Sequence, residues 1–431
     1  MKQIFALLLS AAGVPLLTAA HLDLKPAGNR NYFPGGRVNF IATAWDDDNN
    51  KLTQGTFTVT VQDSGGSRID KPVTVDLSKN NPATISVTPT RPGFLLATAS
   101  ACKMPDGKVV RWSGKPFAPV GGAAVQPGNI RTGTERPADF DQFWQDGLKA
   151  WENAEVTVTP EPKIKRKGYK VSRIQVKFPD GSGAIDGFLS IPAKPGKYPA
   201  TAGVPLAGPG AVGPTTVFRG SRPAIELWMN VHPFPTAATA AEQKKLYSAY
   251  NEALPSKRYF LHQADDRDQY IYRKVWLALS RAVNYVAALP EFDGRHFAMV
   301  GHSQGGGTAL AVGGLNPHIT CIVASVPGLC DHGGGKLKRM PGWPRLHHAT
   351  QGKADAAMPY FDCVNFAPRI KVPVLVSVGY IDTVCPPASV YALCNALSCR
   401  KTIVPMPRHG HTITPEVRKK AVEFLDRELS K

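Results

Sequence analysis

Ser303 stands in the stretch "AMVGHSQGGGTAL", in which Gly301-His302-Ser303-Gln304-Gly305 has the form G-x-S-x-G. One hydroxyl among glycines suits a nucleophile on a sharp strand-to-helix turn, where neighbouring backbone approaches too closely for a Cβ two positions either side. Such a turn aims the N-terminus of the next helix at the reaction centre, so the Gln304 backbone N–H can stabilise an oxyanion. A nucleotide-binding loop is the rival, but no G-K-[ST] follows and the spacing is not G-x-G-x-x-G. A serine needs a base, and the base an orienting carboxylate. In the order Ser, Asp, His, these are Asp382 in "GYIDTVCPP" and His411 in "RHGHT", each after a predicted strand. His409 is the alternative base, but Gly410 lets the loop turn the His411 ring inward. His302 is expected to point away from a displayed Ser303. The second oxyanion donor is expected from "VPLAGPGAVGP", where Pro205, Pro209 and Pro214 have no N–H. Ala207 is the candidate, with Gly208 next. The chemistry is acyl transfer and needs no metal or organic cofactor; the remaining histidines have no metal-like spacing with Asp or Glu.

Those residues need a scaffold with strand ends on one side. From about residue 170, apolar strands alternate with helices: "YPATAGVPLAG", "RHFAMVG", "ITCIVASVPG", "VPVLVSVGYID" and "KTIVPMP" against "QYIYRKVWLALSRAVNYVAAL" and "TPEVRKKAVEFLDREL". Continuous apolar strands of this kind predict a mostly parallel sheet covered on both faces, within a catalytic unit over 137–431. At its start, "PADFDQFWQDGLKAW" predicts an amphipathic helix with Pro137 near its beginning. Before it, residues 21–113 carry short alternating runs and turn-rich pieces, predicting a small all-β immunoglobulin-like sandwich. Residues 114–136 are Gly/Pro-rich and read as a linker. The acidic trio Asp46, Asp47 and Asp48 reads as a hairpin tip rather than a calcium loop, because spaced ligands and a closing Glu are missing.

The chain has 431 residues, 43% hydrophobic and 19% charged, a globular rather than disordered composition. Residues 1–20, "MKQIFALLLSAAGVPLLTAA", have the basic start, apolar middle and small-residue end of a secretory signal peptide, which predicts export to the periplasm or beyond. No later run reaches the roughly 18 apolar residues of a spanning helix, so no stable membrane insertion is expected. The formal net charge is +18. The basic residues are scattered, and the one dense cluster, "KIKRKGYK" at 163–170, lacks a base-stacking platform, so no nucleic-acid partner is expected. Seven cysteines form no C-x-x-C pair, and their pairing is not readable from spacing.

Together "VGHSQGGGTAL", "YIDTVCPPASVYALCNAL", "PADFDQFW", "DQYIYRKVWLALSRAVNYVAALPEFDGR" and "YFDCVNFAPRIKVPVLVSVG" resemble the acetyl xylan esterase and cephalosporin C deacetylase family of α/β-hydrolases. The resemblance covers roughly 125–431. It implies an α/β-hydrolase fold and removal of acetyl groups from sugar hydroxyls, with acetylated carbohydrates or other small acetyl esters as substrates. It implies Ser303, Asp382 and His411 as triad, Gln304 and Ala207 as oxyanion hole, and Pro327 and Val384 as walls of a small acyl pocket. The chain departs from the family pattern at His302, at "NVHPFP" around His232, at "PLAGPG" in the oxyanion loop, and at Gly328 where the family carries Phe. Two other readings stand beside this one: a serine peptidase of the prolyl-oligopeptidase kind, and an exported carbohydrate-binding protein on a hydrolase scaffold.

Overall fold

The structure, a computed structural model, describes residues 20–29, 32–113, 119–210, 213–237 and 239–430. The proposed signal segment up to residue 19 lies outside the described residues. The N-terminal module is two facing β-sheets. One orders its strands Trp112–Ser113, Ala20–Pro26, Val38–Asp46 and Ala83–Val87. The other contains Tyr32–Phe33, Val120–Val125, Gly93–Ala99 and Thr56–Gln62 in that order, then two short strands. Alternation sets which side chains face inward: Phe57, Val59 and Val61 are buried between exposed or half-buried neighbours. At the acidic tip, Asp46 Oδ1 accepts the backbone N–H groups of Asp48 and Asn50 at 3.0 and 2.8 Å, a turn held by its own side chain.

One boundary differs from the sequence reading. The middle of the expected 114–136 linker is strand Val120–Val125, paired antiparallel with Gly93–Ala99. Its glycines serve packing rather than flexibility. A Cβ on Gly121 would sit 2.7 Å from the Leu24 carbonyl oxygen, and one on Gly122 would sit 2.8 Å from Tyr380 Cβ.

The catalytic unit is one nine-stranded sheet. Its strands are β1 (Val156–Pro160), β2 (Tyr169–Lys177), β3 (Ala184–Pro192), β4 (Tyr198–Gly203), β5 (Ile225–Met229), β6 (Phe292–His302), β7 (Cys321–Ser325), β8 (Val374–Gly379) and β9 (Lys401–Met406). The order is β1-β2-β3-β5-β4-β6-β7-β8-β9. Pairings from β1 through β5 are antiparallel and those from β5 through β9 parallel, so the sheet is mixed. The parallel half reads as continuous apolar sequence because both faces are covered. In β6, Phe297 and Met299 join the core beneath α3 (Ile271–Ala287) and α4 (Gln304–Leu315). Ala298 and Val300 join the opposite core, which includes Val417, Ala421 and Phe424 of the last helix, Pro415–Glu428. The aromatic helix near the start, α1 (Phe140–Ala150), buries Phe140, Phe143 and Trp144 as anchors. Helix α2 (Ala240–Ala253), which no periodicity in the sequence singles out, begins at a full capping box between Thr239 and Glu242. Among the described residues no helix is long and apolar enough to cross a membrane.

Candidate active site

β6 ends at His302 and α4 begins at Gln304, so Ser303 occupies a one-residue turn between strand and helix. Its backbone is held at φ 58°, ψ −121°, a region that costs a non-glycine residue energy and persists only when the surroundings impose it. The surroundings do so by crowding. A Cβ on Gly301 would collide with the Gly305 carbonyl, and one on Gly305 with the Val204 carbonyl at the end of β4. The Ser303 N–H donates to the Ser325 carbonyl at 2.9 Å, and its carbonyl accepts from Gly307 and Gly328 at 3.1 and 2.9 Å.

The loops after β8 and β9 bring the other two groups in. His411 Nε2 lies 2.8 Å from Ser303 Oγ, and His411 Nδ1 lies 2.8 Å from Asp382 Oδ2. A carboxylate only accepts, so Nδ1 carries the proton and Nε2 is left to take the serine proton. Asp382 is 3% exposed, and its other oxygen accepts the N–H groups of Val384 and Cys385 at 2.8 and 2.9 Å. The two loops are tied to each other by Ile381 N–H to the His409 carbonyl at 3.3 Å. The His409 side chain is exposed, so of the two candidate bases His411 is the one beside Ser303.

The His302 expectation is corrected. Its ring does not point away but lies 5.2 Å from that of His411, with Nδ1 at 3.4 Å from Ser325 Oγ. Burial, and then the neighbouring His411, push its pKa down to about 4. It therefore stays neutral at pH 7 and adds no competing positive charge beside His411.

Gln304 is fully buried, and its backbone N–H is the first of α4, where no intrahelical acceptor exists. Its side chain is a hub the sequence did not reveal. Oε1 accepts from the hydroxyls of Tyr259 and Tyr272, the latter at 2.6 Å, while Nε2 donates to the Pro205 carbonyl at 3.2 Å. This fastens the 204–210 loop, with Ala207 and Gly208, to the start of α4. The same loop is held by His232, whose Nε2–H donates to the Gly208 carbonyl at 2.8 Å. His232 is buried among Phe234, Tyr247 and Tyr259, and that burial pushes its pKa down to about 4. The only advance sign of these roles was negative: "NVHPFP" and "PLAGPG" are departures from the family pattern, and they touch each other in space.

Pro327 is buried against the first turn of α4, 3.1 Å from where a Cβ on Gly306 would stand. Val384 is 40% exposed, and its backbone serves Asp382. At Gly328, a Cβ would meet the Trp343 ring at 3.1 Å, Cys385 Sγ at 3.6 Å and the Gln304 nitrogen at 3.7 Å. Trp343, which no motif flagged, thus takes the space a larger residue at 328 would need. All seven cysteines are free thiols. The arrangement as a whole can activate an alcohol, hold an oxyanion and protonate a leaving group.

The comparisons with known proteins agree in kind. A family model for acetyl xylan esterase matches residues 243–428. The acetyl esterase Axe7A of Xylanibacter ruminicola is 31% identical over 359 residues, covering 81% of this chain and 78% of that protein. The chain belongs to the acetyl xylan esterase family. Membership makes it a carboxylic ester hydrolase. Two solved acetyl xylan esterases share the fold. The one from a Thermoanaerobacterium species has a TM-score of 0.57 at 20% identity, covering 71% of this chain and 98% of its own. The one from Paenibacillus sp. R4 has 0.56 at 21%, covering 70% and 99%. The catalytic unit of this acetyl xylan esterase family member is therefore of the α/β-hydrolase type.

Proposed function

We propose that the protein deacetylates acetylated carbohydrates by a two-step acyl transfer on Ser303. The observation that carries this reading is the single imidazole of His411, 2.8 Å from Ser303 Oγ on one side and 2.8 Å from the Asp382 carboxylate on the other. Ser303 Oγ attacks the acetyl carbonyl as His411 Nε2 takes its proton, and the carbonyl electron pair moves onto oxygen. The backbone N–H groups of Gln304 and Ala207 hold that oxyanion. The tetrahedral species collapses, the bond to the sugar oxygen breaks, and His411 returns the proton to the leaving alkoxide. Water then repeats the sequence on the acetyl-serine, releasing acetate. Asp382 keeps the imidazole in the useful tautomer throughout. Pro327 and Val384 bound the acyl group, which favours acetyl over longer chains.

The acetyl substrate follows from family membership and from the relative whose name specifies acetyl esters. The N-terminal module is read as an immunoglobulin-like sandwich from its two facing antiparallel-rich sheets, and export to the periplasm or medium from residues 1–20. The test is acetate release from acetylated glycans, with burst kinetics on p-nitrophenyl acetate. Wild type shows a burst, and Ser303→Ala lowers kcat by about 10⁶-fold without a burst. Undiminished turnover in Ser303→Ala rejects the assignment.

A further inference from the structure

The loops bearing Asp382 and His411 end against the sandwich rather than in solvent. Strand Val120–Val125 runs along the first loop, and a Cβ on Gly122 would sit 2.8 Å from Tyr380 Cβ and 2.9 Å from Ile381 Cγ2. Asp382 is the next residue. Phe94 meets the Tyr380 ring edge-on at 5.0 Å and tilts against Tyr391 at 5.2 Å. Phe94 and Ala124 belong to the hydrolase core rather than to the core of their own module. The second loop is held three residues before His411, where Arg408 pairs with Asp23. Asp23 is itself buried in strand Ala20–Pro26. A third contact, Met340 N–H to the Ser64 carbonyl at 2.7 Å, steadies the segment that delivers Trp343. A cavity of about 190 Å³ lies between the domains, with Ser64 and Phe94 on one wall and Asp382 and Thr383 on the other.

We infer that the sandwich positions the active site: Gly122 and Phe94 set the Asp382 loop, and the Asp23–Arg408 pair sets the His411 loop. The inference rests on the triad reading above. Ser303 is fixed within its own domain by glycine crowding, whereas its two partners sit on loops at the far edge of the sheet, after β8 and β9. Both 2.8 Å hydrogen bonds of His411 must hold at once, and a displacement of about 1 Å suffices to lose them. These residues touch no reacting atom, so they are positioning residues. Their effect should appear in kcat rather than KM.

The test uses the full chain and p-nitrophenyl acetate. Gly122→Ala drives a methyl into Tyr380 and Ile381 and is expected to lower kcat by about 10- to 100-fold with KM within about twofold. Gly128→Ala is the control, because a Cβ there meets nothing within 4 Å, and it leaves both constants unchanged. In an Asp382→Asn background, Gly122→Ala should cost less than about twofold more, because the carboxylate it displaces is already gone. Wild-type kcat in Gly122→Ala, or losses that multiply in the double variant, overturns the inference. If Gly122→Ala does not fold, Arg408→Ala decides: kcat falls several-fold and Arg408→Lys restores it, whereas unchanged kcat in Arg408→Ala overturns the inference. Wild type and Ser303→Ala run alongside separate the two claims. An inactive wild type or an active Ser303→Ala removes the triad reading; a silent Gly122→Ala beside normal controls removes only the positioning role.

Discussion

The two halves of the site are built in opposite ways. The Ser303 half is local: a strand, one strained residue and a helix within a dozen positions, with Gly301 and Gly305 making room. The Asp382–His411 half is assembled across the chain. Its loops bond to each other 28 residues apart (Ile381 to His409), and to the N-terminal module across 385 (Asp23 to Arg408). Steric necessity writes itself into a local sequence as a pattern of missing side chains. Support from a distant module leaves no such pattern, because any well-packed surface supplies it. Ser303 is thus held by its neighbours in sequence, and His411 and Asp382 by neighbours in space.

After Ser303, the largest loss is expected at Asp382. Asp382→Asn keeps the shape but forfeits the charge and the preferred imidazole tautomer, so kcat should fall on the order of 10⁴-fold with the melting temperature nearly unchanged. A loss below tenfold would mean that the remote half is ornamental. The local half is probed next by Gly305→Ala. The new methyl meets the Val204 carbonyl, so the start of α4 must shift, lowering kcat by roughly 10²-fold and stability by about 1–3 kcal/mol. Gly314→Ala, in the same helix, meets Phe366 and Ile370 at an ordinary 3.4 Å and should gain up to about 1 kcal/mol from helix propensity. Steady-state kinetics and thermal melts of the pair separate crowding at the turn from a general intolerance of the helix.

The same contrast explains what the sequence could say. The convergence of Ser303, Asp382 and His411 was legible because strand-end position and chain order are properties of the local text, and the parallel strands because burial on both faces makes them uniformly apolar. Strand Val120–Val125 was not, since "VGGAAV" has the composition of a flexible connection until Tyr380 is seen against Gly122. His302 was misjudged for a related reason. Displaying a serine says where Oγ goes, not where the preceding side chain packs, and that ring found its place against His411. Trp343 and the tyrosines on Gln304 carried no pattern at all, because their contacts join loops and helices that no spacing rule connects.

Acid should weaken the local half first. His232 holds the 204–210 loop and His302 adjoins Ser303; with His332 they are buried, and burial pushes each pKa down to about 4. Unfolded, each binds a proton near pH 6.5. Between these values the unfolded chain binds more protons, so their stabilising contribution is complete above about pH 6.5 and lost as pH falls toward 4, by up to about 3 kcal/mol each. Asp362 works the other way. Burial raises it to about 6, so the folded chain keeps its proton between about pH 4 and 6 and gains stability as pH falls there. Burial raises Asp331 as well, so three histidines stand against two carboxyls, which should leave a net fall in melting temperature from pH 7 to 4.5. His332→Leu, which removes a buried imidazole that acid must charge, should flatten that fall. An unchanged pH slope in this variant would reject the account.

The smallest expected effect lies at a contact between the local half and its surroundings. Two hydroxyls, from Tyr259 and Tyr272, converge on the single Oε1 of Gln304. A carbonyl oxygen has two lone pairs, so losing one donor leaves it partly satisfied. Tyr272→Phe should therefore cost about 1 kcal/mol and change kcat by less than about threefold. Removing both hydroxyls leaves a fully buried acceptor with nothing in return, and adds a desolvation penalty of about 1–3 kcal/mol beyond the sum of the single losses. Because the same amide reaches the Pro205 carbonyl, the double variant should also loosen the 204–210 loop and lower kcat more than either single change. Strictly additive melting temperatures across this cycle would show that Gln304 is held by packing alone, and that its polar hub plays no part in fixing the start of α4.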